Sequence, residues 1–311
     1  FTKVFKRGQI LFGRRRAYLH KAAVAPFDGV CSGDIIVIEA IKNKIFPDFL
    51  PLIIQNEEFF NYAVEKSAGS LSPRVKWEHL KEYEFELPDF EEQKRLANIL
   101  WKIEELKASI DNLYFYSLNL YQESINDINS KFNKKCIKDI ILKIKLEKAS
   151  IGTIPYLEIG DININNKTYQ LKDKPSVSGA VKVDYDDILI SLVRPTRGAI
   201  VRVKENNLSA SAAFCVLRCE NKLFQNFLFN YLLFNQKFFN SFESKQTGTT
   251  YPTCKDQDIY EYTIPLPETE QEILSVNNSL SNVIQIIKIL IQKKTNLQEL
   301  ERKIIKEALN V

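Results

Sequence analysis

FEEQKRLANILWKIEELKASIDNLYFYSLNLYQESINDI, residues Phe90 to Ile128, decides the fold. Its apolar residues fall at Leu96, Ile99, Ile103, Leu106, Ile110, Leu113 and Leu120, with gaps of three, four, three, four, three and seven. That spacing is the a/d seam of a coiled coil. Lys and Glu fill the outer face early in the run, from Glu91 to Lys107. The seam breaks near Ser117 and Ser124, where Tyr121, Ile125 and Ile128 drift to an adjacent stripe. A seam this narrow covers little besides a partner helix, which argues against a long core helix of an α/β enzyme.

The partner is at the other end of the chain. Ile273, Val276, Leu280, Val283, Ile287 and Leu290 step by threes and fours, Lys294 interrupts, and Leu297, Ile304 and Ala308 resume. Two seams of similar length in one chain most simply pack on each other. Each helix is roughly 55–60 Å long at about 1.5 Å rise per residue.

The segments before the two helices echo each other. Gly69, Pro73, Leu80, Tyr83 and Pro88 have counterparts at Gly248, Pro252, Ile259, Tyr262 and Pro267, each 179 residues later. Phe59-Phe60 matches Phe238-Phe239, Ser32 matches Ser211, and Ile10-Leu11 matches Ile188-Leu189 at 178. A repeat this extended makes the protein two copies of one unit, a globular domain followed by a long helix. The boundaries read as a first domain over 1–88, a first helix over 89–131, a second domain over 132–266 and a second helix over 267–311.

Within each unit, short strands at Gly8–Phe12 and Asp187–Ile190 lead into an Arg-rich loop. A second strand follows at Asp34–Ile38 and at Ala213–Leu217. The Phe-rich runs Phe46–Tyr62 and Leu223–Phe242 have helical spacing. A Gly/Ser/Thr/Pro loop and a last strand (Tyr83–Leu87; Tyr262–Leu266) then lead to the Pro that opens each long helix, where a missing N–H costs nothing. The chain has no Met, even at position 1, and only nine residues precede Ile10. The sequence is therefore expected to begin inside the first domain or to lack residues it naturally carries.

Composition excludes several classes. Apolar residues make up 45% and charged residues 26%, as in ordinary globular proteins. The net charge of +4 permits an anionic partner without demanding one, so the placement of Arg and Lys must decide. Five scattered cysteines form no disulfide framework, and Cys215 and Cys219 are far from any His, against a zinc site. No signal peptide and no apolar run long enough to span a membrane is read, so the cytoplasm is expected.

Catalytic signatures are missing: there is no phosphate-binding Gly-rich loop, no dinucleotide fingerprint and no His-Glu-x-x-His. Only His20 and His79 are available, in unrelated contexts, so a His-based triad is improbable. Asp184, Asp186 and Asp187 read as turn formers. No catalytic residue, metal ligand or cofactor site is assigned.

The basic loops carry more. Gly13-Arg14-Arg15-Arg16-Ala17-Tyr18 sets three arginines together with Lys21 beyond, and Arg194-Pro195-Thr196-Arg197-Gly198 follows the equivalent strand of the second copy. Arginine clusters suit phosphate contacts and bidentate guanine readout. One such loop is usually solvated surface, but recurrence at the same place favours a function. The loops over 67–76 and 246–252 offer Gly and small hydroxyl residues for close backbone approach to phosphate, or simply a tight connection. The expected DNA contacts are Arg14, Arg15, Arg16, Lys21, Arg74 and Lys76 in one copy, and Arg194, Arg197, Thr249 and Lys255 in the other. Trp77 and Trp101 read as packing residues.

A family resemblance rests on these same residues. The strand before Gly13-Arg14-Arg15-Arg16-Ala17-Tyr18-Leu19, then Asp28-Gly29-Val30-Cys31-Ser32-Gly33-Asp34-Ile35, Ser67 to Arg74 and the Leu-Pro-x-x-Glu-Glu-Gln helix start resemble a target-recognition domain of a type I restriction–modification specificity subunit. Asp187 to Ser191, Thr247 to Pro252 and Leu266-Pro267 resemble its second domain. The second helix start is one residue short of the pattern. The resemblance implies an α+β fold, with two repeated α/β target-recognition domains and two long helices forming an antiparallel coiled coil. It implies a non-catalytic reader of a bipartite duplex DNA target whose helices act as spacer and dock two modification subunits. Those partners would use S-adenosylmethionine to methylate adenine, and restriction subunits would use ATP with Mg. Two alternatives stand beside this: the specificity subunit of a type II-like enzyme with a fused nuclease–methylase partner, and a coiled-coil scaffold for protein interactions.

Overall fold

The computed structural model describes residues 3–41, 43–248 and 250–309. The long run forms a helix over Phe90–Lys131, and the closing run forms one over Glu270–Leu309. Acidic residues sit in the first turn of each (Glu91, Glu92; Glu270, Glu272) and a lysine in the last (Lys131; Lys306), complementing the helix dipole. The chain folds as two compact units, Phe1–Asp111 with Lys293–Val311 and Asn112–Gln292. Both long helices contribute to each unit.

The architecture is α+β and duplicated. In the first unit Lys3–Phe5 pairs antiparallel with Gly29–Cys31, and Ile10–Gly13 is the central strand between Ala22–Val24 and Ile35–Ile38. In the second, Val181–Val183 pairs with Leu208–Ala210, and Ile188–Ser191 is central between Ile200–Arg202 and Phe214–Leu217. Each of these second-unit strands begins 178 or 179 residues after its counterpart. The step from 178 to 179 falls between the third and fourth strands, in the loops over 25–28 and 203–207. The second unit adds Tyr156–Leu157, parallel to Leu208–Ala210, and a hairpin of Ile162–Asn163 with Thr168–Tyr169.

Apolar residues on one face of each central sheet pack on the Phe-rich helices. Phe12, Phe59 and Phe60 meet in the first unit, with ring centroids 5.6 and 5.5 Å from Phe12. Ile188, Ile190, Phe238, Phe239 and Phe242 belong to one core in the second. Each such buried side chain contributes about 1.5–3 kcal/mol. The Phe-rich runs are not single helices. Each breaks at a buried Asn, Asn56 and Asn235, whose side chain accepts from Glu58 N–H and Phe238 N–H. An Asn with extended backbone caps a new helix more favourably than it continues an old one.

Two strand expectations need correction. The middle strands Ala22–Val24 and Ile200–Arg202 were not read, because three residues are too few to show alternation. A last strand does form at Thr263–Pro265, where Lys134–Cys136 is beside it. Residues 83–87 form none, since no described strand is there to pair with. Glu86 N–H instead bonds Leu309 C=O at 3.3 Å, while Tyr83 and Phe85 pack toward Leu100 and Ile305.

The long helices pair antiparallel in both units. Lys107 bridges to Glu301 and Lys294 to Asp111; Tyr121, Ile125 and Ile128 share a core with Ile273 and Leu280. The second helix buries the seam read from sequence as far as Leu290, beyond which Ile305 and Leu309 are buried while Leu297, Ile304 and Ala308 are half-buried. The first buries it at Leu96 and Ile103 only. Leu106, Leu113 and Leu120 are 53%, 54% and 48% exposed, whereas Leu96, Ala97, Leu100 and Ile103 are buried. The buried stripe then passes through Lys107, Tyr114 and Leu118 to Tyr121. Lys107 holds a seam position because Glu104 and Glu301 both pair with it.

The expectation of no membrane-length apolar run also needs revision. The helix Glu270–Leu309 carries an 18-residue window of mean hydropathy 1.2. Leu280, Val283, Ile284, Ile287 and Leu290 are buried in the chain's own core, as in the core helix of a globular unit.

Candidate nucleic-acid interface

The Arg-rich loops close the central hairpin of each sheet. Gly13 N–H donates to Lys21 C=O, and Ser191 N–H donates to Ala199 C=O. Between those bonds the chain turns through a left-handed residue, one 3-10 turn and a second left-handed residue. These are Arg16 (φ 55°), Ala17–Leu19 and His20 (φ 49°) in the first unit, and Arg194 (φ 49°), Pro195–Arg197 and Gly198 (φ 72°) in the second. Left-handed backbone disfavours a side chain such as Arg, so surrounding bonds must hold it.

They come from the Gly-containing loops. Arg16 N–H donates to Pro73 C=O at 2.8 Å, and Arg194 N–H donates to Pro252 C=O at 2.7 Å. Val75 N–H donates to Arg14 C=O, and Cys254 N–H donates to Leu192 C=O. Arg15 bridges Arg74 and Val193 bridges Thr253, while Ala68 pairs with Arg74 and Thr247 with Thr253. Gly69 and Gly248 turn the second loop with φ of 112° and 92°. At Gly248 a Cβ would also lie 3.3 Å from Tyr251 O. Backbone hydrogen bonds thus join the two loops into one junction in the same way in both copies.

Side chains then differ. In the first junction Arg74 Nε donates to Asp34 Oδ1 at 2.8 Å, Arg15 Nη1 is 3.9 Å from Asp34 Oδ2, and Arg15 Nε donates to Ser72 Oγ at 2.6 Å. The hydrogen bond from Arg74 holds the Asp34 carboxyl below its ordinary range, helped by the positive charges of Arg74, Arg15 and Arg14. Arg16, Lys21 and Lys76 are exposed. Arg14 Nε is buried with no hydrogen-bond partner among the described residues. The structure therefore gathers Arg14, Arg15, Arg16 and Arg74 at one junction, with Lys21 and Lys76 at its two ends.

In the second junction Arg194 Nη2 donates to Thr250 C=O at 3.0 Å, and its guanidinium lies 4.9 Å from the Tyr251 ring centroid. Ala213 and Thr253 occupy the positions of Asp34 and Arg74, so the carboxylate–arginine pair of the first junction has no counterpart here, and Arg194, the equivalent of Arg16, has an aromatic neighbour of its own. Lys255 is exposed just beyond the junction, and its N–H donates to Asp258. Arg197 is exposed but lines a separate 350 Å³ cavity with Tyr114, Asn119 and Gln122 of the long helix. Thr249 lies outside the described residues.

Sequence reasoning missed Asp34 as the organiser of the first cluster, and it missed the exposed aromatics. Trp77 is 46% exposed and Tyr251 is 66% exposed; Trp101, by contrast, packs and donates to Asp48 C=O. The signal for Tyr251 was its place inside the repeated loop. The acidic cluster is a turn locked by ion pairs. Arg218 binds Asp187 and Asp184, and Arg202 binds Asp186.

Comparison with known proteins agrees with this duplication. A sequence profile described as the type I restriction modification DNA specificity domain matches residues 2–114 and 124–302. A Methanocaldococcus jannaschii protein named as the type I restriction enzyme MjaX specificity subunit is 22% identical, over 96% of this chain and 76% of its own length. The type I restriction enzyme EcoDI specificity subunit of Escherichia coli is 29% identical over 35% of this chain and 23% of its own. The crystal structure of a type I restriction–modification S subunit from M. genitalium shares the fold with a TM-score of 0.60 at 12% identity, covering 98% of this chain and 83% of that one. The chain belongs to the type I restriction–modification DNA specificity family.

Proposed function

We propose that this specificity subunit reads a bipartite duplex DNA target, each junction reading one half. The observation that carries this is the duplicated junction, one backbone framework with different outward side chains. Arg14, Arg15, Arg16, Lys21, Arg74 and Lys76 serve one half-site. Arg194, Tyr251, Thr249 and Lys255 serve the other, with Arg197 at the side of that domain. Phosphate contacts from these cations supply most of the affinity and make it salt-dependent. Bidentate guanidinium contacts to guanine and the stacked Arg194 supply discrimination. Because Asp34 has no counterpart in the second junction, the two half-sites differ in sequence.

The subunit does no chemistry itself and works in the cytoplasm. Two modification subunits carrying S-adenosylmethionine dock on the paired helices, and restriction subunits bring ATP and Mg. Methylome sequencing of a host expressing this subunit with its modification subunit tests the reading. A bipartite adenine-methylated motif that vanishes on deletion of this subunit is expected. An unchanged methylome, together with salt-independent or absent DNA binding, would refute it in favour of a protein-interaction scaffold.

A further inference from the structure

The unit Asn112–Gln292 holds a 620 Å³ cavity with an uneven charge. One wall is the second long helix, through Ile284, Lys288 and Ile289; the other includes Lys204, Arg202 and Phe229. Among the described residues lining it, Glu205 is the one carboxylate against Lys167, Arg202, Lys204 and Lys288. Most of these groups are already engaged. Glu205 accepts from the Tyr169 hydroxyl. Arg202 pairs with Asp186 outside the cavity, and Lys167 Nζ donates to Gly198 C=O. Lys204 and Lys288 remain, and neither has an ion-pair partner among the described residues. Lys288 is exposed as a residue, but desolvation at the cavity wall, and then the neighbouring charge of Lys204, push its ammonium below its ordinary range.

Two unanswered ammonium groups beside an apolar wall form a site short of an anion. The volume is within the range of about 300–1,000 Å³ that small-molecule sites occupy, and inorganic phosphate would leave most of it empty. Lysines act as point charges that suit phosphate, whereas planar carboxylates favour arginine, and the one arginine here is taken by Asp186. We propose that this cavity binds a phosphate-bearing anion, with Lys204 and Lys288 on the phosphate and Phe229, Ile284 and Ile289 against the rest. The phosphate belongs to a free nucleotide; a DNA backbone in its place is the outcome that overturns the proposal.

Calorimetric titration of the full chain tests this with ATP, pyrophosphate, adenosine and a duplex of random sequence. A nucleotide site gives saturable ATP binding, weaker pyrophosphate binding and none with adenosine. Lys288→Met and Lys204→Met each weaken ATP at least tenfold, and Lys288→Arg recovers part. If ATP stays unbound while the same variants weaken the duplex and lower its salt dependence, these lysines are ordinary DNA-backbone contacts and the proposal falls. It falls too if neither variant changes affinity for ATP or pyrophosphate. Misfolding does not blur the outcome. Lys204 and Lys288 are both exposed, so neither Lys→Met change lowers Tm appreciably.

Discussion

The helix register can be tested by truncating two leucines six positions apart. Leu100 is wholly buried among Phe49, Leu52, Ile53 and Ile305, whereas Leu106 is 53% exposed. Leu100→Ala removes three buried carbons and leaves a cavity walled by rigid helices. A buried Leu→Ala change costs about 2–5 kcal/mol depending on how far the site collapses. Collapse is limited here because the long helix and the helix Leu50–Ile54 both face the gap, which places the cost near about 3–4 kcal/mol. For a unit of this size, about 1 kcal/mol moves Tm by about 2–4 °C, so a drop of about 6–16 °C is expected. Leu106→Ala removes exposed surface and costs less than about 0.5 kcal/mol. The assay is thermal and urea unfolding of the isolated chain, followed by far-ultraviolet circular dichroism. The a/d seam read from sequence predicts the reverse, because it buries Leu106 and leaves Leu100 outside. A Leu106→Ala loss equal to or larger than that of Leu100→Ala would refute the register.

Three further outcomes are expected. Asp34→Asn frees Arg74 and Arg15 from their carboxylate; the methylated motif should relax at one base of one half-site and stay fixed in the other, and an unchanged motif would remove Asp34 from recognition. Arg218→Met leaves the wholly buried Asp187 carboxylate without its two-pronged partner and should cost about 3–5 kcal/mol in urea unfolding; a loss below about 1 kcal/mol would show that the pair contributes little. Burial pushes Lys167 from 10.5 down to about 8. Between those values the unfolded chain holds a proton that the folded chain lacks, so this group's contribution to stability rises with pH through the window and is lost as pH falls through about 8. Wild type should therefore gain on Lys167→Met by up to about 1.4 kcal/mol per pH unit between pH 8 and 10.5; a flat difference would contradict the burial.

What was legible in the sequence was whatever the repeat spelled twice. The arginine loops, the Gly loops and the Phe pairs share fixed offsets, and the structure joins the first two into one junction. The strands Ala22–Val24 and Ile200–Arg202 escaped because their pattern is too short to read. Their place is set by pairing with Ile10–Gly13 and Ile188–Ser191. The seam was misread for another reason. Periodicity counts apolar residues, so it chose Leu106 over Lys107. It could not know that Glu104 and Glu301 would flank a lysine stem at the helix contact. Leu96, Ala97, Leu100 and Ile103 also meet the domain as well as the partner helix, which widens the buried face beyond a two-helix stripe. Asp34 was passed over as the start of a strand, because its role depends on Arg74, forty residues away.

The two junctions divide labour between backbone and side chain. The bonds that the two junctions share run between main-chain groups: Arg16 to Pro73, Arg194 to Pro252, Val75 to Arg14 and Cys254 to Leu192. Such bonds are indifferent to side-chain identity, so Arg74 can stand where the other copy has Thr253, and Asp34 where it has Ala213, without moving the frame. The same freedom extends beside the sheet, where Gln9 donates to Glu39 in one unit and Arg218 binds Asp187 at the matching positions in the other. A reader whose target must vary gains from this separation. The cost of the left-handed Arg16 and Arg194 is met by bonds that substitution does not touch, and the residues that face outward change without refolding the domain. On the function proposed above, specificity is set by a few side chains on a fixed frame, and duplicating that frame yields two half-site readers in one chain.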